Sequence, residues 1–223
     1  MVFTASLFQA RFLETSANKK YSAAGQKDNL STTSTEKKGE FAMLQAIDDA
    51  ILLFIQQHFR TAFGDAVLPV ITFLGNSGLI WIISAILLFS FRKRKAGAVV
   101  ALALVLSLLV GNFGLKLLIE RPRPCDVDPS VVLLIPHPGE FSFPSGHSMS
   151  SFAAAVSILF FHKKWGIAAM ILAGLIAFSR LYLYVHYPTD VLAGALIGVA
   201  LAFLSRFLIE QTLRSAARKE DLQ

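Results

Sequence analysis

The chain gathers its apolar residues into runs near the length of a bilayer crossing, and that distribution narrows its architecture more than any other feature. The runs fall near residues 74–91, 97–119, 146–161, 166–184 and 188–209. A helix needs about 20 mostly apolar residues to cross the hydrocarbon core. Backbone polar groups inside that core have to be satisfied within the segment, which favours helices. Of the 223 residues, 54% are hydrophobic and only 16% are charged, against roughly 25% charged in soluble domains. The pattern predicts an all-α, polytopic membrane helix bundle of about five to six transmembrane helices.

The net charge of +6 sits mostly in short loops: Arg92-Lys93-Arg94-Lys95, Lys163-Lys164, and Arg206, Arg214, Arg218 and Lys219. Such clusters set orientation in a bilayer and do not read as a nucleic-acid surface. All of them fall on one side, which the positive-inside rule makes cytoplasmic, so loop 120–145 and the turn at His186 face outward. The single cysteine, Cys125, rules out an intrachain disulfide and argues against a cysteine-based metal site.

Residues 1–42 differ from the rest. They are rich in Ser, Thr, Ala and Lys, and 17–38 have almost no apolar content, a composition expected to stay disordered. Arg11 and Glu14 interrupt the one apolar stretch, unlike a secretory leader. Lys37-Lys38-Gly39-Glu40 requires purine-rich codons just upstream of Met43, as at a bacterial ribosome-binding site. Residues 1–42 are therefore expected to be disordered or an extension ahead of a true start at Met43. Residues 43–212 form the membrane-embedded domain, and 213–223 a basic cytoplasmic tail. Residues 46–73 carry Asp48, Asp49, Gln56, Gln57, His58, Arg60 and Asp65 among apolar positions at helical spacing. They read as one or two amphipathic helices lying in the interface.

Three short segments carry chemistry. His186 and Asp190 are four apart and share a helical face. A carboxylate there can hold one imidazole nitrogen and leave the other nucleophilic. Arg180, one element upstream, can bind two phosphate oxygens at once. Taken alone, Arg180 and Asp190 serve equally well as a structural ion pair. Ser145 is a natural N-cap, Gly146 admits a ligand close to the backbone, and His147 lies in the first turn, placed to pass a proton. Lys116, Arg121 and Arg123 lie at the end of an apolar run, where charge is costly. Arg121 reads as snorkelling to lipid headgroups.

Jointly these segments read K-x6-R-P, P-S-G-H and S-R-x5-H-x3-D, in that order. The pattern resembles the signature of the type 2 phosphatidic acid phosphatase superfamily over about residues 44–210. Within that group it looks most like the small bacterial undecaprenyl pyrophosphate phosphatases. The resemblance implies a phosphatase at the outer face of the bacterial cytoplasmic membrane, with a lipid phosphate or pyrophosphate as its partner and no metal or other cofactor. It makes His186 the nucleophile that becomes phosphohistidine, Asp190 its orienting carboxylate and His147 the general acid. Lys116, Arg123 and Arg180 become the phosphate clamp, helped by Ser145 and the Gly146 backbone. Phosphatidylglycerophosphate and phosphatidic acid remain alternative substrates, since phosphatases for both carry the same motifs. Vanadium haloperoxidases share the pocket but are soluble, and a lipid binder without activity would not need both histidines. Cys125, His58, His137 and His162 receive no role.

Overall fold

The computed structural model describes residues 31–220, whose regular elements are helices, with no strand among them. The chain divides into two units, residues 1–46 and 47–223. Helix α1 covers Ser31–His58, so the segment expected to be disordered is helical from Ser31 onward. Residues 1–30 lie outside the described part.

Helix α2, Ala62–Leu74, starts at Thr61, whose side chain accepts from the Gly64 amide. It ends in the sequence Gly75-Asn76-Ser77-Gly78, where Ser77 and Gly78 both take positive φ. Helix α3, Leu79–Ser90, follows, and α2 bends against the Asn76–Ser90 segment by 46°. Helix α4, Arg94–Ser107, runs through a π-helical stretch, Leu108–Leu115, into α5, Lys116–Ile119. The chain leaves α5 through Glu120 in the left-handed region. A single turn, α6 at Pro124–Val127, precedes the loop to α7 at Gly146–Leu159. Helices α8, Lys163–Tyr182, and α9, Pro188–Glu220, complete the chain.

Three stretches are long and apolar enough to cross a membrane: Arg94–Val127, Lys163–Tyr182 and Pro188–Arg218. The bent α2–α3 pair makes a fourth if it counts as one span. The run expected at 74–91 is α3, and if the bent pair is one span that span begins earlier, at Ala62. The run at 146–161 becomes α7, whose 14 residues extend about 21 Å at 1.5 Å per residue, short of a hydrocarbon core of about 30 Å.

Helix α7 is the packed centre. Met149, Ala153, Ala154 and Ala155 are fully buried, and its Ser151 Oγ accepts from Trp81 Nε1 at 2.9 Å. Small residues let helices approach closely in lipid, where packing replaces the hydrophobic effect. Helix α9 approaches it closely. A Cβ on Gly194 would meet the Ser145 carbonyl oxygen at 2.5 Å, and one on Gly198 would collide with that of Met149. Large apolar side chains such as Leu118, Leu196 and Phe203 point outward and are exposed, as a lipid-facing surface requires.

Replacing Gly198 with Val is expected to destabilise the detergent-solubilised protein by about 1–3 kcal/mol, the usual cost of overpacking. Thermal unfolding followed by tryptophan fluorescence checks this. An unchanged transition would remove the α7–α9 contact as the constraint.

Candidate active site

The three motif segments converge at one end of the helices. Lys116, in α5, is buried and forms an ion pair with Glu140 from the loop before α7. That partner holds the Glu140 carboxyl below its ordinary range, chiefly through the hydrogen bond from Lys116. Gly146 opens the space beside it: a Cβ there would lie 3.3 Å from Asn112 Oδ1 and 3.9 Å from Lys116 Nζ. Ser145 is fully buried as the N-cap of α7, its Oγ accepting from the Ser148 hydroxyl at 3.0 Å and more weakly from the Ser148 amide at 3.4 Å. Its own amide donates to the Asp190 carbonyl at 3.1 Å, which ties the second motif to the third.

Arg123 is held by backbone carbonyls. Its Nε donates to Glu140 O at 2.6 Å, Nη1 to Val185 O at 2.8 Å and Nη2 to Phe141 O at 3.3 Å. Nη1 also lies 3.0 Å from His186 Nε2. Arg180, in the last turn of α8, donates from Nη1 to Thr72 Oγ1 at 2.6 Å. Its Nε is buried and has no partner, alone in this among the side-chain nitrogens and oxygens of the described residues. Buried donors are almost always satisfied, and a guanidinium nitrogen is suited to an anionic oxygen.

His186 is 1% exposed and lies in the turn between α8 and α9, just after Tyr184 at φ 60°. An aromatic residue in the left-handed region is strained, as residues near functional sites often are. Burial, then the positive charges of Arg123, Arg180 and Lys116, push the imidazole well below its ordinary value. It is therefore neutral at physiological pH, with a ring nitrogen free to act as a base or nucleophile.

The His186–Asp190 pair is arranged differently from the direct contact that the sequence suggests. Asp190 Oδ2 lies 3.7 Å from His186 Nδ1, too far for a hydrogen bond. Ser142 bridges them: its Oγ lies 3.3 Å from Nδ1 and donates to Asp190 Oδ2 at 2.5 Å. Asp190 pairs with Arg121 at 2.6 Å, which displaces the Arg180–Asp190 alternative. Arg121 does not snorkel; it turns inward because two buried carboxylates, Asp48 and Asp190, attract it. His147 lies 2.8 Å from Asn76 at its Nε2. Ser142 and Asn76 come from a loop and a turn without motif spacing, so neither carries a signal in the sequence.

Among the described residues one group could hold a metal ion, formed by Cys125, Asp126 and His137. The single cysteine argued against a cysteine-based metal site, but the loop after α6 folds back and brings His137, 12 positions on, to Cys125 and Asp126. His137 Nε2 already meets Asp126 Oδ1 at 2.8 Å, and Asp126 Oδ2 accepts from the Arg123 amide at 2.9 Å. The group braces the turn that carries Arg123.

A cavity of about 630 Å³ opens from Lys116, Gly146 and His147 and runs between α3 and α4 past Ala85, Leu104 and Phe89. One end is charged and the other apolar.

Residues 95–212 match the PAP2 superfamily. The chain belongs to this superfamily. It is 37% identical over 128 residues to an undecaprenyl-diphosphatase of Sulfolobus acidocaldarius, covering 56% of this chain and 62% of the relative. It is 32% identical over 140 residues to an undecaprenyl-diphosphatase of Bacillus subtilis, covering 63% and 72%. The crystal structure of a transmembrane PAP2-type phosphatidylglycerolphosphate phosphatase from Bacillus subtilis superposes with a TM-score of 0.63 at 32% identity, covering 76% of this chain and 87% of that one. The chain thus spans less than two thirds of the length of the archaeal relative. As a PAP2 protein with membrane-spanning helices it is a membrane protein, and its three motif segments form the buried cluster described above.

Arg180→Gln is expected to weaken binding of orthovanadate, a tetrahedral oxyanion, by about tenfold or more, since a hydrogen bond to a charged group contributes roughly 1.5–3 kcal/mol. Vanadate-dependent shifts of the unfolding temperature measure this. Equal shifts in variant and parent would show that the unpartnered Nε does not face the anion.

Proposed function

We propose that the protein is a metal-independent membrane phosphatase that forms a phosphohistidine on His186 and hydrolyses undecaprenyl pyrophosphate to undecaprenyl phosphate. The observation that carries this reading is the buried trio Lys116, Arg123 and Arg180 around a neutral His186, with one guanidinium nitrogen unpartnered. Three fixed cations supply the charge stabilisation that phosphoryl transfer chiefly needs.

His186 Nε2 attacks phosphorus as the bond to the leaving oxygen breaks, and His147 gives that oxygen a proton. Arg123 Nη1, which lies against Nε2 in the free site, moves onto a phosphoryl oxygen. Water then attacks phosphorus, His147 takes its proton, and the N–P bond breaks to release phosphate. Ser145, the Gly146 backbone and Lys116 hold the remaining oxygens, while Ser142 and Asp190 keep Nε2 aimed at phosphorus.

The apolar arm of the cavity fits a lipid tail, with the phosphate at the end lined by Lys116 and His147. The two relatives described as undecaprenyl-diphosphatases favour a polyprenyl substrate. The likeness to a phosphatidylglycerolphosphate phosphatase makes that lipid the second reading. The outward orientation rests on the basic end of the molecule. Lys95 pairs with Glu210 at 3.0 Å, and Arg206 stacks on Phe160, so the basic turns before α4 and α8 and the later part of α9 lie together. Such clusters favour the cytoplasmic side, which supports a phosphate site at the opposite face of the cytoplasmic membrane.

The test is phosphate release from undecaprenyl pyrophosphate, phosphatidylglycerophosphate, phosphatidic acid and an aryl phosphate, with His186→Ala alongside. The pyrophosphate is expected to turn over fastest, with loss of activity in the variant and no effect of EDTA. Faster turnover of the glycerolipids would move the protein to phospholipid synthesis. An active His186→Ala protein would exclude the covalent step, and loss in EDTA restored by magnesium would overturn the metal-free reading.

A further inference from the structure

We infer that Arg121, gripped by Asp48 of α1, is a positioning residue that fixes the Asp190 carboxylate and through it the His186 imidazole. Neither Arg121 nor Asp48 belongs to the three motifs. The inference rests on the proposed role of His186 as nucleophile.

One guanidinium joins two carboxylates that are both fully buried. Arg121 Nη1 donates to Asp190 Oδ1 at 2.6 Å and to Thr189 Oγ1 at 2.8 Å, and Nη2 donates to Asp48 Oδ2 at 2.7 Å. The Arg121 plane lies over the Tyr187 ring at 3.9 Å. Asp48 is fastened from the other side: Oδ1 accepts the Thr189 amide at 2.9 Å and Oδ2 the Thr189 hydroxyl at 2.5 Å. Residues from α1, from the exit of α5 and from the first turn of α9 thus meet at one knot.

The two oxygens of Asp190 have separate tasks. Oδ2 takes the Ser142 hydroxyl and the Tyr187 amide, at 2.5 and 2.9 Å, on the side facing His186. Oδ1 takes Arg121. Contacts on both oxygens stop the carboxylate from rotating, so Ser142 presents its oxygen to His186 Nδ1 in one orientation. Without Arg121, Oδ1 loses its cation and the carboxylate can turn, and Nε2 is no longer aimed at phosphorus. A misplacement near 1 Å can lower the rate about 10²-fold. Lysine cannot replace the fork, because a point charge does not serve two carboxylates in the fixed geometry of a guanidinium.

The experiment compares the parent with Arg121→Gln, Arg121→Lys and Asp48→Asn. Each is measured for kcat and KM on its best substrate, for vanadate binding and for unfolding temperature. Nitrogen-15 histidine NMR, with His186 assigned from His186→Ala, reports which ring nitrogen carries the proton. Arg121→Gln should lower kcat by up to about 100-fold and leave KM and vanadate affinity near those of the parent. Asp48→Asn, nearly isosteric, should lower kcat in the same direction while remaining folded, and Arg121→Lys should recover part of the loss. The parent should show one His186 tautomer with Nδ1 protonated, and Arg121→Gln a mixture. Folded variants with unchanged kcat and unchanged His186 resonances would overturn the inference. A defect confined to KM and vanadate binding would overturn it too, making Arg121 a substrate contact. If the parent releases no phosphate, the proposed function fails, and the NMR comparison still decides the role of Arg121.

Discussion

The site is governed by the gathering of three positive charges out of water. Lys116, Arg123 and Arg180 are each between 3% and 6% exposed, and like charges in a medium of low dielectric repel strongly. The fold offsets this unequally. Arg123 is spread over three backbone carbonyls, Lys116 leans on Glu140, and Arg180 has one hydroxyl and an idle Nε. The cluster therefore remains short of negative charge, and an anion with several oxygens completes it where a neutral ligand would not. Burial, and then the same field, push His186 well below its ordinary value, so in the proposed mechanism the substrate's attraction and the nucleophile's readiness share part of their electrostatic origin.

Such a cluster is useful only if its parts stay fixed, and the frame for that is close helix packing. Gly194 and Gly198 bring α9 onto the backbone of α7. The Ser145 amide then reaches the Asp190 carbonyl, linking the N-terminal end of α7 to the turn that carries His186. The π-helical stretch Leu108–Leu115 has a comparable effect on the other wall. It adds residues per turn ahead of Lys116 and places Asn112 on the cavity, as such segments often do near functional sites.

The membrane class and the three motif segments that converge in the fold could be read from the sequence because apolar run length and motif spacing are local properties. The knot of Asp48, Arg121, Thr189 and Asp190 could not. Asp48 and Thr189 are 141 positions apart, and nothing near Arg121 in sequence shows that its charge is matched inside the protein and not by headgroups. The place of residues 62–73 was not legible for a related reason. Asp65 breaks the apolar run, but its carboxylate accepts from the Tyr182 hydroxyl at 2.7 Å and pairs with Arg60 at 3.3 Å. The segment can therefore belong to a bent span. Short α7 fails the length expectation because neighbours surround it, and a helix shielded by protein need not match the bilayer.

The distance of 3.7 Å between Asp190 and His186 bears on what the carboxylate is for. A carboxylate in direct contact would stabilise a positively charged imidazolium and raise the imidazole's proton affinity. For the proposed attack the neutral form is the one required, since a protonated ring has no lone pair for phosphorus. The Ser142 hydroxyl sets the ring's tautomer while keeping the full charge one bond length further away. Arg121 draws on the same carboxylate from behind and lowers the negative field at the ring still more. The arrangement favours orientation over charge stabilisation at His186, and in the proposed mechanism leaves the charge of the transferring phosphoryl group to Lys116, Arg123 and Arg180.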